Sequence, residues 1–388
     1  MKSELCSICS YRREKIETSR LSLDEYVSTE NMLQNRGGIA KAASLPTTSS
    51  TQAYKKGDIL VSNIRPYFKK IWKATHDGGC SNDILVFVAK DTCNTDFLYY
   101  VLSDDSFFDY ATATSKGTKM PRGDRSAIMQ YQVPIFDMET QQKIGASLQF
   151  IDAKICNNQQ INDNLQQQLR TIFKAEFTDS PELENITQIP LSELCHVVTK
   201  GATPTTLGKP FVESGINFIK AESILDDHSI DKSKFAFIDE ETNALLKRSI
   251  IHVGDVVFTI AGTLGRFALI DENVLPANTN QAVAIIRADV EKVLPEYIYT
   301  CFIGEWHTDY YAKRVQQAVQ ANLSLTTIKS LPIPLLGEAK MREYLSLILP
   351  LIKAIKTNEV QNEKLAAFRD NLLPKLMSAE IDVSAVQL

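Results

Sequence analysis

Apolar positions in two long stretches recur in alternating steps of four and three. From Glu139 to about Phe177 they fall at Ile144, Leu148, Ile151, Ile155, Leu165, Leu169 and Ile172. From about Glu338 to Leu373 they fall at Tyr344, Ile348, Leu351, Ile355, Leu365 and Leu372. This spacing is a heptad seam and predicts two long helices. Asparagines occupy the seam in both gaps, Asn158 and Asn162 in the first helix, Asn358 and Asn362 in the second, at an offset of 200 residues. Two apolar stripes in one chain are most simply buried against each other. A globular segment lies between them, so the pairing is expected to be antiparallel, with the asparagines fixing register or lying on a solvated face. A helix over 139–177 would be roughly 55 Å long. At ~3.4 Å per base pair that matches about one and a half turns of duplex, the reach of a spacer bar.

The segments ahead of the helices show another pattern. Short apolar runs bounded by Gly and Asp predict strands at Ile59–Ile64 and Ile84–Ala89, and again at Val256–Ile260 and Ala282–Ile286. Helical spacing predicts helices over Phe97–Tyr110 and Glu296–Val315. The order is the same twice, and the residues agree. Gly57-Asp58-Ile59-Leu60-Val61-Ser62 returns as Gly254-Asp255-Val256-Val257-Phe258-Thr259, and Val133-Pro134-Ile135-Phe136 as Ile333-Pro334-Leu335-Leu336. Ser3-Glu4-Leu5-Cys6 aligns with Ser192-Glu193-Leu194-Cys195, and Tyr26-Val27 with Phe218-Ile219, the latter pairs followed by Glu30 and Glu222. The offset then drifts from 189 through 192 and 197 to 200. Each copy is too long for a solenoid unit, so this is a duplicated domain. The expected class is α+β: a β-rich domain over 1–138, a long helix over 139–178, a second β-rich domain over 179–337, and a second long helix with its tail over 338–388.

Composition narrows the setting. With 44% apolar and 23% charged residues the 388-residue chain is ordinary for a soluble globular protein. The longest apolar stretch, Tyr344–Ile355, is too short for a membrane span. Met1-Lys2-Ser3-Glu4 lacks an apolar signal core, and seven scattered cysteines suit reduced thiols, so a cytoplasmic location is expected. A net charge of −5 argues against indiscriminate nucleic-acid binding but not against local basic faces.

Catalytic signatures are missing. Gly201–Lys209 has six residues between its glycines where a phosphate loop needs four, and Pro210 stands where the metal-binding hydroxyl belongs. Cys6 and Cys9 form a lone pair without further ligands, and His76, His196, His228, His252 and His307 have no ligand spacing. There is no nucleophile elbow, and Gly262-Thr263-Leu264-Gly265 is a turn between strands rather than a dinucleotide fingerprint. What the chain does carry is polar loops. Arg65, Tyr67, Lys69 and Lys70 follow the first Gly-Asp strand; Lys116, Lys119 and Arg122 follow the first short helix; Thr263, Arg314, Gln317, Gln320 and Asn322 occupy corresponding places in the second copy. Arg reads guanine edges, Asn and Gln read adenine, and Lys and Thr hold phosphates, so these are candidate DNA contacts.

The chain resembles the specificity subunits of type I restriction-modification systems. The Gly-Asp strand in each half, the turns after it, Ser324-x-x-x-Ile328-x-x-Leu331-Pro332-Ile333-Pro334, and the closing Leu372-Leu373-Pro374-Lys375-Leu376-Met377-Ser378-x-Glu380-Ile381 carry the resemblance. It implies two target-recognition domains on one bipartite double-stranded DNA site, spaced by an antiparallel coiled coil. It also implies two methyltransferase subunits that use S-adenosylmethionine for adenine N6 methylation, restriction subunits that cleave unmodified DNA, and no active site or bound cofactor in this chain. Phe173 and Phe177 are then expected to dock the methyltransferase partners. Arg122-Gly123-Asp124 departs from Asn322-Leu323-Ser324, as divergent recognition domains would. The alternatives are a coiled-coil adaptor without DNA specificity, and the targeting subunit of a combined restriction-methylation enzyme.

Overall fold

The structure, a computed structural model, describes residues 2–179, 186–308, 310–311, 322–384 and 386. The chain divides into two compact units, Met1–Ile155 with Lys364–Leu388, and Cys156–Glu363. Each unit therefore contains one β-rich domain and part of both long helices, which run over Met138–Phe177 and Glu338–Met377.

In the first unit a four-stranded antiparallel sheet has the order Cys9–Tyr11, Ile84–Ala89, Ile59–Ser62, Ile71–Lys73. A second sheet orders Lys15–Glu17, Ser50–Tyr54, Gly78–Cys80 and Tyr26–Val27, the last pair parallel. Lys2–Glu4 pairs with Gln132–Pro134. The expected single helix over 97–110 is two helices, Thr95–Ser103 and Asp105–Ala113. The break falls at Asp104, whose extended backbone and carboxylate, accepting from the Ser106 amide, cap the second helix. Ile144 and Leu148 are buried in the core under the first sheet with Phe97, Val101 and, from the second long helix, Leu373 and Leu376. Gly145 lets the first long helix approach the short helix, because a Cβ there would stand 2.9 Å from Asp96 Cβ.

The second unit repeats the plan. Its main sheet orders Cys195–Lys200, Val283–Ala288, Val256–Thr259, Phe267–Leu269. Ile216–Ile219 pairs in parallel with Ala277–Thr279 and antiparallel with Ala236–Ile238, and Thr187–Pro190 pairs with Pro332–Leu335. The helix expected over 296–315 is Pro295–Ile303 and stops at Gly304; residues 312–315 lie outside the described residues. The register also corrects the alignment of the first strands. Glu4 faces Gln132 and Pro190 faces Pro332, and the amides of Leu5 and Leu191 donate to Tyr131 O and Leu331 O. Leu5 thus matches Leu191, not Leu194, and the copies begin at an offset of 186 residues.

The duplicated Gly-Asp step has a structural reason. Gly57 and Gly254 have φ of 93° and 82°, in the left-handed region where glycine is free of Cβ strain. The following aspartate is buried, and its carboxylate accepts from the amide three residues back, Lys55 or His252. An arginine neutralises each one, but from different strands: Arg12, just after Cys9–Tyr11, holds Asp58, whereas Arg287, within Val283–Ala288, holds Asp255.

The long helices run antiparallel. In the second unit the Asn158 amide donates to Asn362 Oδ1 and Gln361 Oε1, both at 2.8 Å, and Asn358 donates to Asn162 Oδ1 at 2.8 Å. In the first unit Arg369 donates to Asp152 at 2.6 Å. Numbers rise on one helix as they fall on the other. The asparagines are thus seam residues bonded to each other. Ile144, Leu148, Ile151, Ile348 and Ile355 are buried, and Ile155, Leu165 and Leu365 are half-buried. Leu351 and Leu372 are half-buried because Ile352 and Leu373 take the fully buried places, where the helices drift from a strict 3.5-residue period to meet their domains. The second helix continues a turn past Leu373, through Pro374.

Candidate nucleic-acid interface

After Ile59–Ser62 the first domain's chain makes a tight excursion. Arg65 and Lys69, with φ of 51° and 50°, bracket the turn Pro66–Phe68. Left-handed backbone is uncommon outside glycine and is held here by its neighbours. Arg65 N donates to Pro121 O at 2.8 Å and Gly123 N to Asn63 O at 3.1 Å, which fixes the turn against loop 115–125. That loop is closed by reciprocal backbone bonds of 2.8 and 2.9 Å between Lys116 and Arg122. A third segment joins through Asn35 N to Phe68 O and Arg36 N to Lys69 O, both 2.9 Å.

The side chains differ in how free they are. Arg65 is half-buried, with its guanidinium 6.0 Å from the Phe68 ring centroid and a buried Nε that has no hydrogen-bond partner among the described residues. Lys69 and Arg36 converge on Asp105; burial pushes that carboxyl up, but the two cations outweigh it and hold it below its ordinary value. Lys70 donates to Thr29 O at 2.6 Å, and burial lowers its pKa. Lys116 pairs with Asp124 at 2.5 Å, and this bond, with the Ser126 and Ala127 amides, depresses the Asp124 pKa. Arg122 reaches Asp83 at 3.1 Å but keeps more than half its side chain in solvent. Lys119 is exposed and has no ion-pair partner among the described residues, and Tyr67 and Met120 are exposed beside these cations. The structure therefore gathers all seven residues expected in this domain around two touching loops. Lys119, Arg122 and Tyr67 are presented outward, while Arg65, Lys69 and Lys70 build the loop. Arg36 was missed; its signal in the sequence is the turn Asn35-Arg36-Gly37-Gly38, with positive φ at 35, 36 and 38.

The second domain has the same joint. Leu323 N donates to Ile260 O at 2.9 Å, as Gly123 N does to Asn63 O. Ser324 and Asp124 then cap the short helices Leu325–Lys329 and Arg125–Ile128. Gly262 and Gly265 have φ of 76° and 91°, and the Thr259 hydroxyl donates to Thr263 O while accepting from Arg266 N at 2.8 Å. Exposed Thr263 and Asn322 belong to these adjoining turns. Arg266 is not free to read a base, since both its ends grip Asp226 at 2.6 and 2.7 Å. Arg314, Gln317 and Gln320 lie outside the described residues.

Phe173 and Phe177 are not a docking surface. Each is 1% exposed, packed in the second domain's core with Tyr297, Trp306 and Tyr344. Among the described residues no helix is long and apolar enough to cross a membrane, and no cluster of three or more ligating side chains could hold a metal.

Two equivalent domains with divergent polar turns on equivalent joints define a protein built to make two related but different contacts. The chain belongs to the family described as type I restriction modification DNA specificity domain, which it matches twice, over residues 11–167 and 184–364. It is 25% identical over 358 residues to the type I restriction enzyme MjaIX specificity subunit of Methanocaldococcus jannaschii, covering 86% of this chain and 80% of that one. To the HindI specificity subunit of Haemophilus influenzae it is 24% identical, covering 92% and 94%. The fold is that of the type I restriction-modification S subunit of M. genitalium, with a TM-score of 0.56 at 15% identity over 97% and 96% of the two chains. The adaptor reading, which gives the chain no DNA specificity, finds no support in these likenesses.

Proposed function

We propose that each β-rich domain binds one half of a bipartite duplex site through its paired turns, and that the paired long helices set the number of base pairs between the halves. The observation that carries this reading is the repeated joint, Gly123 to Asn63 and Leu323 to Ile260, with different exposed side chains on a common backbone. Base-edge recognition needs side chains of variable chemistry on rigid supports. Arg122 and Asn322 occupy the same place in the two copies, and they favour guanine and adenine respectively. Lys119 and Thr263 are suited to phosphate oxygens.

In this reading the chain performs no chemistry. It is the addressing part of a cytoplasmic complex in which two methyltransferase subunits, holding S-adenosylmethionine, modify an adenine in each half-site after flipping it from the duplex. Restriction subunits of the same complex cleave DNA that lacks the mark. The test is co-expression with the cognate methyltransferase subunit in a host without adenine methylation, followed by genome-wide mapping of N6-methyladenine. A two-part motif with a fixed gap, absent without this chain, is expected. Unchanged methylation from an assembled, cofactor-competent complex overturns the proposal.

A further inference from the structure

We infer that the first domain carries a second, sequence-independent DNA contact that the second domain lacks: a basic groove that holds the phosphate backbone beside its half-site. The inference rests on the proposed DNA-recognition role. The groove, about 780 Å³, is lined by four cations, Arg12, Arg13, Lys90 and Arg125, with Tyr11 and Met129 among the uncharged residues beside them. Among the described residues no acidic one lines it, in a chain whose net charge is −5. Arg12 is committed to Asp58 and Glu14. The other three have no carboxylate partner among the described residues: Lys90 donates to Cys6 O at 2.6 Å, Arg125 to Asn82 O at 2.8 Å, and Arg13 is exposed. Acids stand at its rim: Glu4 accepts from the Cys6 thiol at 3.4 Å, Glu14 pairs with Arg12, and Asp124, which pairs with Lys116, acts on Tyr11.

The groove adjoins the reading loop. Arg125 follows Arg122 by three residues, and the two are held by neighbouring residues, Asn82 and Asp83. A duplex whose bases meet Arg122 has its backbone continue over adjacent surface, and cations without carboxylate partners flanking a reading head serve to position the duplex. The second copy has changed this surface. Lys90 N bonds Ile8 O, and Asp289 N bonds Leu194 O in the matching register, so Asp289 replaces Lys90. The residue after the capping Asp124 is Arg125, while that after Ser324 is Leu325. Tyr11 faces Phe87 as Val198 faces Ile286, which leaves Lys200 as the counterpart of Arg13 and the one cation retained. A general need of the fold would have kept the charges in both copies.

The experiment uses the complex assembled with its methyltransferase subunits and duplexes containing the mapped site, with either flank full-length or trimmed. Binding is measured from low to moderate salt for wild type, Arg13→Gln, and the triple variant Arg13→Gln/Lys90→Gln/Arg125→Gln. The expected result is a salt slope shallower by roughly 0.9 for each phosphate that is no longer neutralised, an unchanged methylation motif, and a difference from wild type that disappears when one particular flank is trimmed. The single variant, at an exposed side chain, gives the same effect in smaller measure without disturbing folding. An unchanged slope in both variants overturns the groove while leaving the recognition role standing. So does loss of methyltransferase assembly by a normally melting triple variant, which would make the groove a protein dock. A wild-type complex without site preference overturns both.

Discussion

Single residues in this chain are tuned to contacts inside its own domains. Gly304 ends the helix Pro295–Ile303, and a Cβ there would lie 2.1 Å from Phe173 Cδ1. Phe173 cannot retreat, being buried against Trp306 and Phe177. Gly304→Ala should therefore cost about 1–3 kcal/mol through overpacking, and Phe173→Ala about 3–5 kcal/mol through the cavity it leaves. Chemical denaturation checks both, and the surviving folded protein should still assemble with its partner. The buried aspartates make a second case. Removing Arg287 strands the Asp255 carboxylate, which is 0% exposed. Arg287→Ala should cost about 3–5 kcal/mol, and the double variant Arg287→Met/Asp255→Asn should recover part of it, as thermal melting would show. The sequence displayed the Gly-Asp pair but not its arginine, because partners on different strands leave no common spacing.

At the scale of elements, the helix pair is specified by polar steps in an apolar seam. Replacing Asn362 alone by Leu leaves the buried Asn158 amide with Gln361 as its only described partner, an expected cost of about 1–3 kcal/mol. Replacing Asn158 and Asn362 together should restore most of that stability while loosening register. A double-mutant cycle by denaturation, with disulfide trapping across the pair to report register, distinguishes the two effects. The seam was legible in the sequence because helical periodicity is local. So were Ile84–Ala89 and the Gly-Asp strands, which are buried apolar runs. The two- and three-residue strands were not, since Lys15–Glu17 or Tyr26–Val27 carries no period of its own and exists by pairing. The copies were misaligned by three residues at their start for a related reason: Leu-Cys recurs by chance near a turn whose register only the strand pairing reveals. Phe173 and Phe177 were misassigned because an apolar stripe does not say whether its cover comes from the same chain. The candidate contacts were legible as loops, while which side chains face solvent depended on tertiary partners such as Asp105 and Thr29.

For the molecule as a whole, pH is the most direct probe of the second domain's core. His228 and His307 are buried among aromatic rings, His228 stacked on Phe267 at 3.9 Å, and burial lowers both to about 4 from an ordinary 6.5. A neutral imidazole in the folded state and a protonated one in the unfolded state mean that stability is full above pH 6.5 and falls as pH drops toward 4. The loss should reach about 3 kcal/mol per histidine. Melting temperatures between pH 7 and 4 should decline accordingly, and His307→Gln should flatten the decline.

Lys2–Glu4 lies beside Gln132–Pro134, and Thr187–Pro190 beside Pro332–Leu335. The chain therefore comes into each β-rich domain and leaves it through two adjacent antiparallel strands, so the turns proposed to contact DNA belong to a closed excursion from one doorway. A gene crossover at the two ends of that doorway exchanges the whole excursion and leaves the helices as they were. Under the proposed function such an exchange changes the address, and the incoming domain has to pack on the retained Ile144 and Leu148 or Phe173 and Phe177.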